Sequence, residues 1–178
     1  MKKLVLALIG ATAFCAPAHA QLNYDMAKVT CAEYLAMDPD TSRDFSAWMS
    51  GWFNQKGGST TINVDGFRKN VANVKSWCQK SPQSGLMGGL QAAMSTAKPG
   101  VGGPASIDAS QISCGEFLNA DPDTQALVGG WVGGWFMSTK NLTLIQSDYV
   151  SRNAKVIGKY CESHKKDSLM DATAKNWR

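Results

Sequence analysis

Apolar residues recur with a helical period in both halves of the chain. They fall at positions i, i+3, i+4, i+7 and i+8, a spacing that places them on one face of an α-helix. The first set is Phe45, Trp48, Met49, Trp52 and Phe53, and the second is Val128, Trp131, Val132, Trp135 and Phe136. The pair Gly57-Gly58 follows the first set and ends its helix. The pattern predicts an all-α protein with one aromatic stripe in each half.

Polar start signals divide the first half into four helices. The predicted starts are a capping box of Thr30 and Glu33, a capping pair of Thr41 and Asp44, Asp65 as the N-cap of the third helix, and Ser81-Pro82 at the fourth. Residues 60–64 are predicted to be a short extended connection between the second and third helices. Each half is therefore expected to be a small four-helix domain.

A fixed offset of 83 residues relates the two halves. Residues 29–94 and 112–177 have 18 identities in 66 positions without a gap. The matched groups include Cys31-Ala-Glu-Tyr-Leu with Cys114-Gly-Glu-Phe-Leu, Asp38-Pro-Asp-Thr with Asp121-Pro-Asp-Thr, and Gly51-Trp-Phe with Gly134-Trp-Phe. One offset held across separate groups indicates a tandem duplication. The predicted organisation is a signal peptide (1–20), a lead-in (21–28), a first domain (29–94), a Gly/Pro/Ser-rich linker (95–111) and a second domain (112–178).

The first twenty residues have the three parts of a secretory signal. Lys2 and Lys3 precede the apolar run 4–14, and Ala18-His19-Ala20 is a small-residue cleavage site. We expect cleavage after Ala20 and export to the periplasm, with Cys15 removed along with the signal. A lipoprotein would instead be lipidated at Cys15, but the preceding residue there is the bulky Phe14.

Charge and the lengths of the apolar runs argue against nucleic-acid binding and against a membrane span. The whole chain has a net charge of +4. The residues after Ala20 include 16 basic and 14 acidic ones, so the net charge without the signal peptide is +2. The basic residues are scattered, so nucleic acid is not an expected partner. No later run of residues approaches the ~20 apolar residues that a membrane span needs. We therefore expect a soluble exported protein.

Four cysteines remain after cleavage: Cys31, Cys78, Cys114 and Cys161. In an oxidising compartment they predict two disulfides. Repeat symmetry favours pairing within each domain, which would stabilise a small domain by roughly 4 kcal/mol. Pairing exchanged between the domains is the alternative.

Little in the sequence indicates catalysis. His164 is the one histidine after the signal, and it lies in a lysine-rich stretch typical of a surface. The carboxylate pairs Asp38/Asp40 and Asp121/Asp123 are compatible with calcium ligands, but they are more typical of turns that precede a helix. We predict no catalytic residue, no metal ligand and no cofactor, and hence a protein that is not an enzyme.

The aromatic stripes have two interpretations. In the first, their largest members are only core residues of small helical domains. In the second, they also form an apolar surface that the two repeats share or that binds a partner. Glycines interleave with the stripes, and each costs a helix about 1 kcal/mol relative to alanine. Several glycines in one helix therefore indicate a close helix–helix approach or low stability. The candidate interface residues are Trp48, Trp52, Phe53, Trp131, Trp135 and Phe136.

The motifs Cys31-Ala-Glu-Tyr-Leu, Trp48-Met-Ser-Gly-Trp-Phe and Trp77-Cys78 resemble those of the HdeA/HdeB family of periplasmic acid-stress chaperones. The resemblance implies an all-α domain with one disulfide, which is dimeric near neutral pH. It further implies that the domain loosens in acid and binds unfolding periplasmic proteins through apolar surface. Family members usually have a single domain, so this chain is expected to be an intramolecular pseudo-dimer of its two repeats. The glycine-rich second stripe also departs from the family pattern, which questions the acid response of that repeat.

Three functional hypotheses follow. The leading one is an ATP-independent acid-stress chaperone, or holdase. The alternative is a constitutive periplasmic protein-binding or inhibitor module that kept the fold without an acid switch. The third is a small-ligand or sugar site built on Trp52 and Trp135.

Overall fold

The computed structural model describes residues 23–96 and 106–178 of the 178-residue chain. The predicted signal peptide lies outside these residues. The helices are α1 (Cys31–Ala36), α2 (Pro39–Lys56), α3 (Val64–Lys80), α4 (Leu86–Thr96), α5 (Cys114–Asn119), α6 (Pro122–Thr139), α7 (Ser147–Ser163) and α8 (Leu169–Asn176). Corresponding helices of the two repeats start 83 residues apart. The prediction of two all-α, four-helix repeats is confirmed.

The capping boxes form as predicted. Glu33 donates its backbone N–H to the Thr30 hydroxyl (3.2 Å), and the Glu33 carboxylate accepts the Thr30 backbone N–H (2.7 Å). Ser113 and Glu116 make the same two contacts at the start of α5, at 3.2 and 2.8 Å. Both α1 and α5 therefore begin where the sequence placed them.

The second helix begins earlier than predicted. Asp38, not Thr41, is the N-cap of α2, and its carboxylate accepts the backbone N–H of Thr41 at 3.0 Å. Proline at the first helical position does not interrupt the helix, because the missing N–H has no intrahelical partner there. The segment interpreted as a turn ahead of the helix is thus its first turn. Asp121 caps α6 in the same way.

The starts of the third and fourth helices were also placed wrongly. Asn63 caps α3 by accepting the N–H of Gly66 at 2.7 Å, so Asp65 lies inside the first turn. Residues 81–85 form a turn, and α4 begins only at Leu86. The carbonyl of Pro82 in this turn accepts a hydrogen bond from the first turn of α1 at 2.9 Å. The local sequence at these sites does not show which residue will cap the helix in the folded protein.

Each repeat has its own core and its own disulfide. The bridges are Cys31–Cys78 and Cys114–Cys161, with Cα–Cα distances of 4.9 Å in both. All four cysteines are fully buried. Each bridge joins the first helix of a repeat to the end of its third helix. The pairing within repeats is confirmed, and the exchanged pairing is not adopted.

Four three-residue strands link the repeats reciprocally. They are β1 (Asn23–Asp25), β2 (Thr61–Asn63), β3 (Ser106–Asp108) and β4 (Leu144–Gln146). Strand β1 of the first repeat pairs antiparallel with β4 of the second, and β3 of the second pairs with β2 of the first. Residues 61–63 confirm the predicted extended connection. Strands β1 and β3 instead lie within the stretches interpreted as lead-in and linker, of which 97–105 lie outside the described residues.

The exchange of strands carries core side chains across the boundary between the repeats. Ile62, on β2 of the first repeat, is 2% exposed and belongs to the core of the second. Its counterpart Ile145, on β4, packs against the core of the first repeat. Met137 of α6 is also buried in the first core. The two repeats therefore complete each other's cores.

Candidate functional site at the interface between the repeats

Helices α2 and α6 cross at one glycine from each repeat. Gly51 faces the backbone carbonyl of Trp131, and a Cβ atom added at this glycine would overlap the carbonyl oxygen. Gly134 faces the backbone carbonyl of Trp48 in the same way. The 83-residue repeat relates the two contacts, so the crossing is approximately twofold symmetric. The two backbones approach so closely that glycine is required at both positions.

The tryptophans of the aromatic stripes lie at this crossing and are withdrawn from solvent. Trp48 and Trp131 are 3% and 0% exposed, and Trp52 is 8% exposed. Trp135 is half-buried and packs against the core of the second repeat. In the folded protein these side chains are therefore engaged in the contact between the repeats and within the cores.

Two of the indoles donate hydrogen bonds to a backbone carbonyl of the opposite repeat. Nε1 of Trp52 donates to the carbonyl of Leu142 at 3.0 Å. Nε1 of Trp135 donates to the carbonyl of Ser59 at 3.1 Å, and Ser59 is the counterpart of Leu142. Each of these tryptophans thus holds the loop that follows the long helix of the other repeat.

The remaining candidates, Phe53 and Phe136, lie beside the crossing. Both are half-buried, and each ring packs edge-to-face with the preceding tryptophan, at centroid distances of 5.2 Å for Trp52–Phe53 and 5.3 Å for Trp135–Phe136. The six predicted residues are therefore brought together along the α2–α6 contact, although the phenylalanines pack mainly within their own repeats.

One ion pair across the boundary is not symmetric. Arg43 contacts Asp40 in its own repeat and Asp123 in the other, with nitrogen–oxygen distances of 3.2 Å to each. The counterpart of Arg43 is Ala126, so this ion pair forms once. Two of the four carboxylates considered as calcium ligands, Asp40 and Asp123, thus contact an arginine that joins the repeats. Because Arg43 is more than one third exposed, the pair adds little stability in water.

The strand pairs place one carboxylate of each repeat against a threonine of the other. The hydroxyl of Thr143 donates to Asp25 at 2.9 Å, and this hydrogen bond holds the pKa of Asp25 below its usual range. Hydrogen bonds from the hydroxyls of Ser110 and Thr60 likewise lower the pKa of Asp108. Asp25 and Asp108 are repeat counterparts, and so are Thr143 and Thr60. Both contacts between the repeats therefore favour the ionised carboxylate.

Carboxylates at the helix starts are shifted in the same direction. The backbone and hydroxyl of Thr30 lower the pKa of Glu33, and the Thr41 hydroxyl and backbone lower that of Asp38. Their counterparts Glu116 and Asp121 are shifted likewise by capping hydrogen bonds. The hydroxyl of Tyr160 lowers the pKa of Asp167. Hydrogen bonds of the fold thus favour the ionised form of carboxylates both within the repeats and between them.

Sequence reasoning missed Asp25, Asp108 and their threonine partners. The signal was present, because both the aspartate pair and the threonine pair are identical at the 83-residue offset. Asp25 and Asp108 lie four residues before the matched ranges 29–94 and 112–177. Three-residue strands also lack a periodicity that would single them out.

We expect D25N/D108N to make stability less dependent on pH in acid. Because the folded-state pKa of each carboxylate is lowered, its stabilisation is complete above ~4, the pKa of the unfolded chain. That stabilisation is lost as pH falls through the folded-state pKa. Asparagine does not titrate, so the free energy of unfolding should fall less steeply with pH below ~4. Urea denaturation at a series of pH values measures this slope.

The exposed Asp65 supplies the charge control for this measurement. Its nearest cation is Arg68 of the same helix, at 3.8 Å, and D65N removes a negative charge without touching the strands. The slope in D65N should stay closer to that of the wild type. Equal slopes in D25N/D108N and the wild type would show that the strand carboxylates do not confer acid sensitivity.

Comparison with known proteins agrees with the duplicated architecture. The model of the HdeA/HdeB family matches the chain twice, over residues 1–88 and 89–171. No curated protein and no solved structure matches the chain. Within the described residues, no helix has both the length and the apolar character needed to cross a membrane. The chain therefore belongs to the HdeA/HdeB family, which is associated with periplasmic acid-stress chaperones, and it carries the family's domain twice.

Proposed function

We propose that this protein is an ATP-independent periplasmic holdase, exported by cleavage after Ala20, that acid activates by loosening the contact between its repeats. The observation that supports the proposal most directly is the interface itself. Trp48, Trp52 and Trp131 are buried in the folded protein, while hydrogen bonds at the strand pairs that close the two sides of the interface lower the pKa values of Asp25 and Asp108. The proposed activity requires no catalytic residue, cofactor or nucleotide.

Acid acts on this arrangement in two ways. First, protonation of carboxylates with lowered pKa values removes stability as pH falls below ~4, as worked out above for the strands. Second, acid neutralises the 14 acidic residues, while the 16 basic residues and His164 are positively charged. The net charge of the chain after Ala20 therefore rises from +2 to about +17. Repulsion within a chain of this size opposes close contact between the repeats. Both effects weaken the interface and expose its apolar residues.

The proposed clients are unfolded or acid-destabilised periplasmic proteins. They would bind through the residues that the opened interface releases, namely Trp48, Trp52, Phe53, Trp131, Trp135 and Phe136. Binding of apolar client segments to these side chains removes apolar surface from water. The high positive charge of the complex would keep it soluble. The disulfides survive in acid and limit how far each repeat unfolds.

The covalent link between the repeats makes the opening intramolecular. Linked domains experience a millimolar-scale effective concentration, so the interface re-forms without a second-order encounter. The midpoint pH of opening, followed by tryptophan fluorescence, should therefore not depend on protein concentration. A midpoint that shifts with dilution would show that separate chains dissociate instead.

Light scattering tests the holdase activity. We expect the oxidised protein, without its signal peptide, to suppress aggregation of an acid-unfolded client near pH 3 and to have little effect near pH 7. Failure to suppress aggregation in acid would refute the proposal. Equal suppression at both pH values, with tryptophan fluorescence unchanged by acid, would support the alternative of a constitutive binding module.

A further inference from the structure

The duplication allows the interior of one repeat to be compared with that of the other. In the first repeat a cavity of about 60 Å³ lies between α2, α3 and α4. At the corresponding place in the second repeat, between α6, α7 and α8, a groove of about 730 Å³ extends to the contact with α2. We call this space the second-repeat groove. Its volume is within the range of small-molecule sites in proteins, roughly 300–1,000 Å³.

Substitutions between the repeats contribute to the difference in volume. Eight lining positions correspond between the two spaces, and at seven of them the second repeat has the smaller side chain. The pairs are Tyr34/Phe117, Ser46/Gly129, Met49/Val132, Ser50/Gly133, Phe67/Val150, Val71/Ala154 and Leu90/Thr173, with Val74/Ile157 as the exception. The second repeat has therefore lost bulk at one contiguous site on a shared scaffold.

Two glycines in the wall of the groove have room for a side chain. A Cβ atom added at Gly158, in α7, would meet no atom within 4 Å. A Cβ atom added at Gly129, in α6, would make only ordinary contact with Phe117, at 3.6 Å. Both glycines line the groove. The walls thus stand open at positions where the chain could have placed side chains.

The lining determines which chemistry fits. It is mainly apolar and includes the aromatic side chains of Phe45, Trp48 and Trp177. Among the described residues that line the groove there is no lysine, arginine or histidine, and the one carboxylate, Asp44, is about half exposed and pairs with Arg43 at 3.0 Å. An anionic ligand would meet no cation among these lining residues, so the loss of its hydration would not be compensated. An uncharged, largely apolar molecule avoids this obstacle.

We propose that the second-repeat groove binds an uncharged, predominantly apolar small molecule while the protein is folded at neutral pH. This site shares Trp48 with the proposed client surface, but it is present while the α2–α6 contact is closed. The inference goes beyond the holdase function and does not depend on it.

Titration with the neutral dye N-phenyl-1-naphthylamine near pH 7 tests the site. We expect a saturable rise in fluorescence with one dye per chain. The variant V150F/A154V gives two lining positions the residues of the first repeat. It should bind the dye roughly tenfold or more weakly, because even one methylene in an apolar pocket can change binding this much. Wild-type protein that binds no dye, or a variant that binds it equally well, would overturn the proposal.

Val156 provides a matched control on α7. It is 44% exposed and does not line the groove, so V156F makes a similar change in size and should leave dye affinity unchanged. Circular dichroism establishes that each variant is folded. If V156F weakens binding as much as V150F/A154V, the dye binds elsewhere on the surface and the assignment is wrong.

Competition defines the ligand class. Dodecanol should displace the dye, whereas dodecanoate, which carries the same chain with a negative charge, should be much weaker. Equal displacement by dodecanoate would contradict the charge argument. Displacement by a permanently unfolded protein near pH 7, without displacement by dodecanol, would show that the groove takes peptide instead. All arms use the folded protein at neutral pH, so they are independent of the acid aggregation assay.

Discussion

Replacing Cys31 and Cys78 with alanine is expected to lower the free energy of unfolding by about 4 kcal/mol. The bridge spans 47 residues and joins the start of α1 to the end of α3. A cross-link of this span restricts the unfolded chain, and its removal returns that conformational entropy. A repeat of this size buries too small a core to replace the lost stability. Urea denaturation of the oxidised variant and wild type measures the difference.

The second disulfide provides the matched comparison. Cys114–Cys161 has the same sequence separation, 47 residues, and its sulfur atoms are equally buried. We therefore expect C114A/C161A to destabilise the protein by a similar amount. An unchanged denaturation midpoint in both variants would show that the cores and strand exchange suffice without the bridges. A shift of the midpoint for client binding to higher pH would connect each bridge to the proposed function.

Gly134→Ala is expected to destabilise the protein by roughly 2–3 kcal/mol, in the upper part of the usual range for overpacking. The added Cβ atom would overlap the carbonyl of Trp48, so α2 and α6 would have to separate along their contact. The intrinsic helix preference of alanine offsets only ~1 kcal/mol of this cost. Thermal and urea denaturation near neutral pH measure the loss.

Gly129→Ala is the control within the same helix. Its Cβ atom would approach Phe117 at 3.6 Å, an ordinary contact, so the change should be neutral or stabilising by up to ~1 kcal/mol. If both alanine variants were equally stable, the close approach of the two helices would not be required for folding.

The same variants bear on activation. A helix crossing weakened by Gly134→Ala needs less acid to open, so this variant should suppress client aggregation at a higher pH than the wild type. Gly129→Ala should retain the wild-type pH dependence. A folded Gly134→Ala protein with unchanged activation pH would mean that clients bind somewhere other than the α2–α6 contact.

The sequence by itself determined the duplication, the all-α class, the capping boxes and the disulfide pairs. These features depend on local spacing or on symmetry. A stripe such as Phe45 to Phe53 has a period that one helix imposes, and a constant offset identifies equivalent cysteines without knowledge of their distance. The starts of α2, α3 and α4 were predicted wrongly; at α2, for example, Asp38 and Thr41 both suit an N-cap, and the choice depends on the preceding chain.

Only the tertiary structure decided how the repeats meet. A buried stripe has the same pattern whether its tryptophans face their own core or the neighbouring repeat, since burial is all that the pattern reports. Strands as short as Asn23–Asp25 have no readable period, so the exchange that sets Asp25 against Thr143 could not be foreseen. The requirement for glycine at position 134 is evident only in the structure, where the backbone carbonyl of Trp48 lies opposite it. Likewise, the sequence does not show that the smaller residues of the second repeat line one groove. Empty volume depends on which residues are neighbours in the fold and not on their order in the sequence.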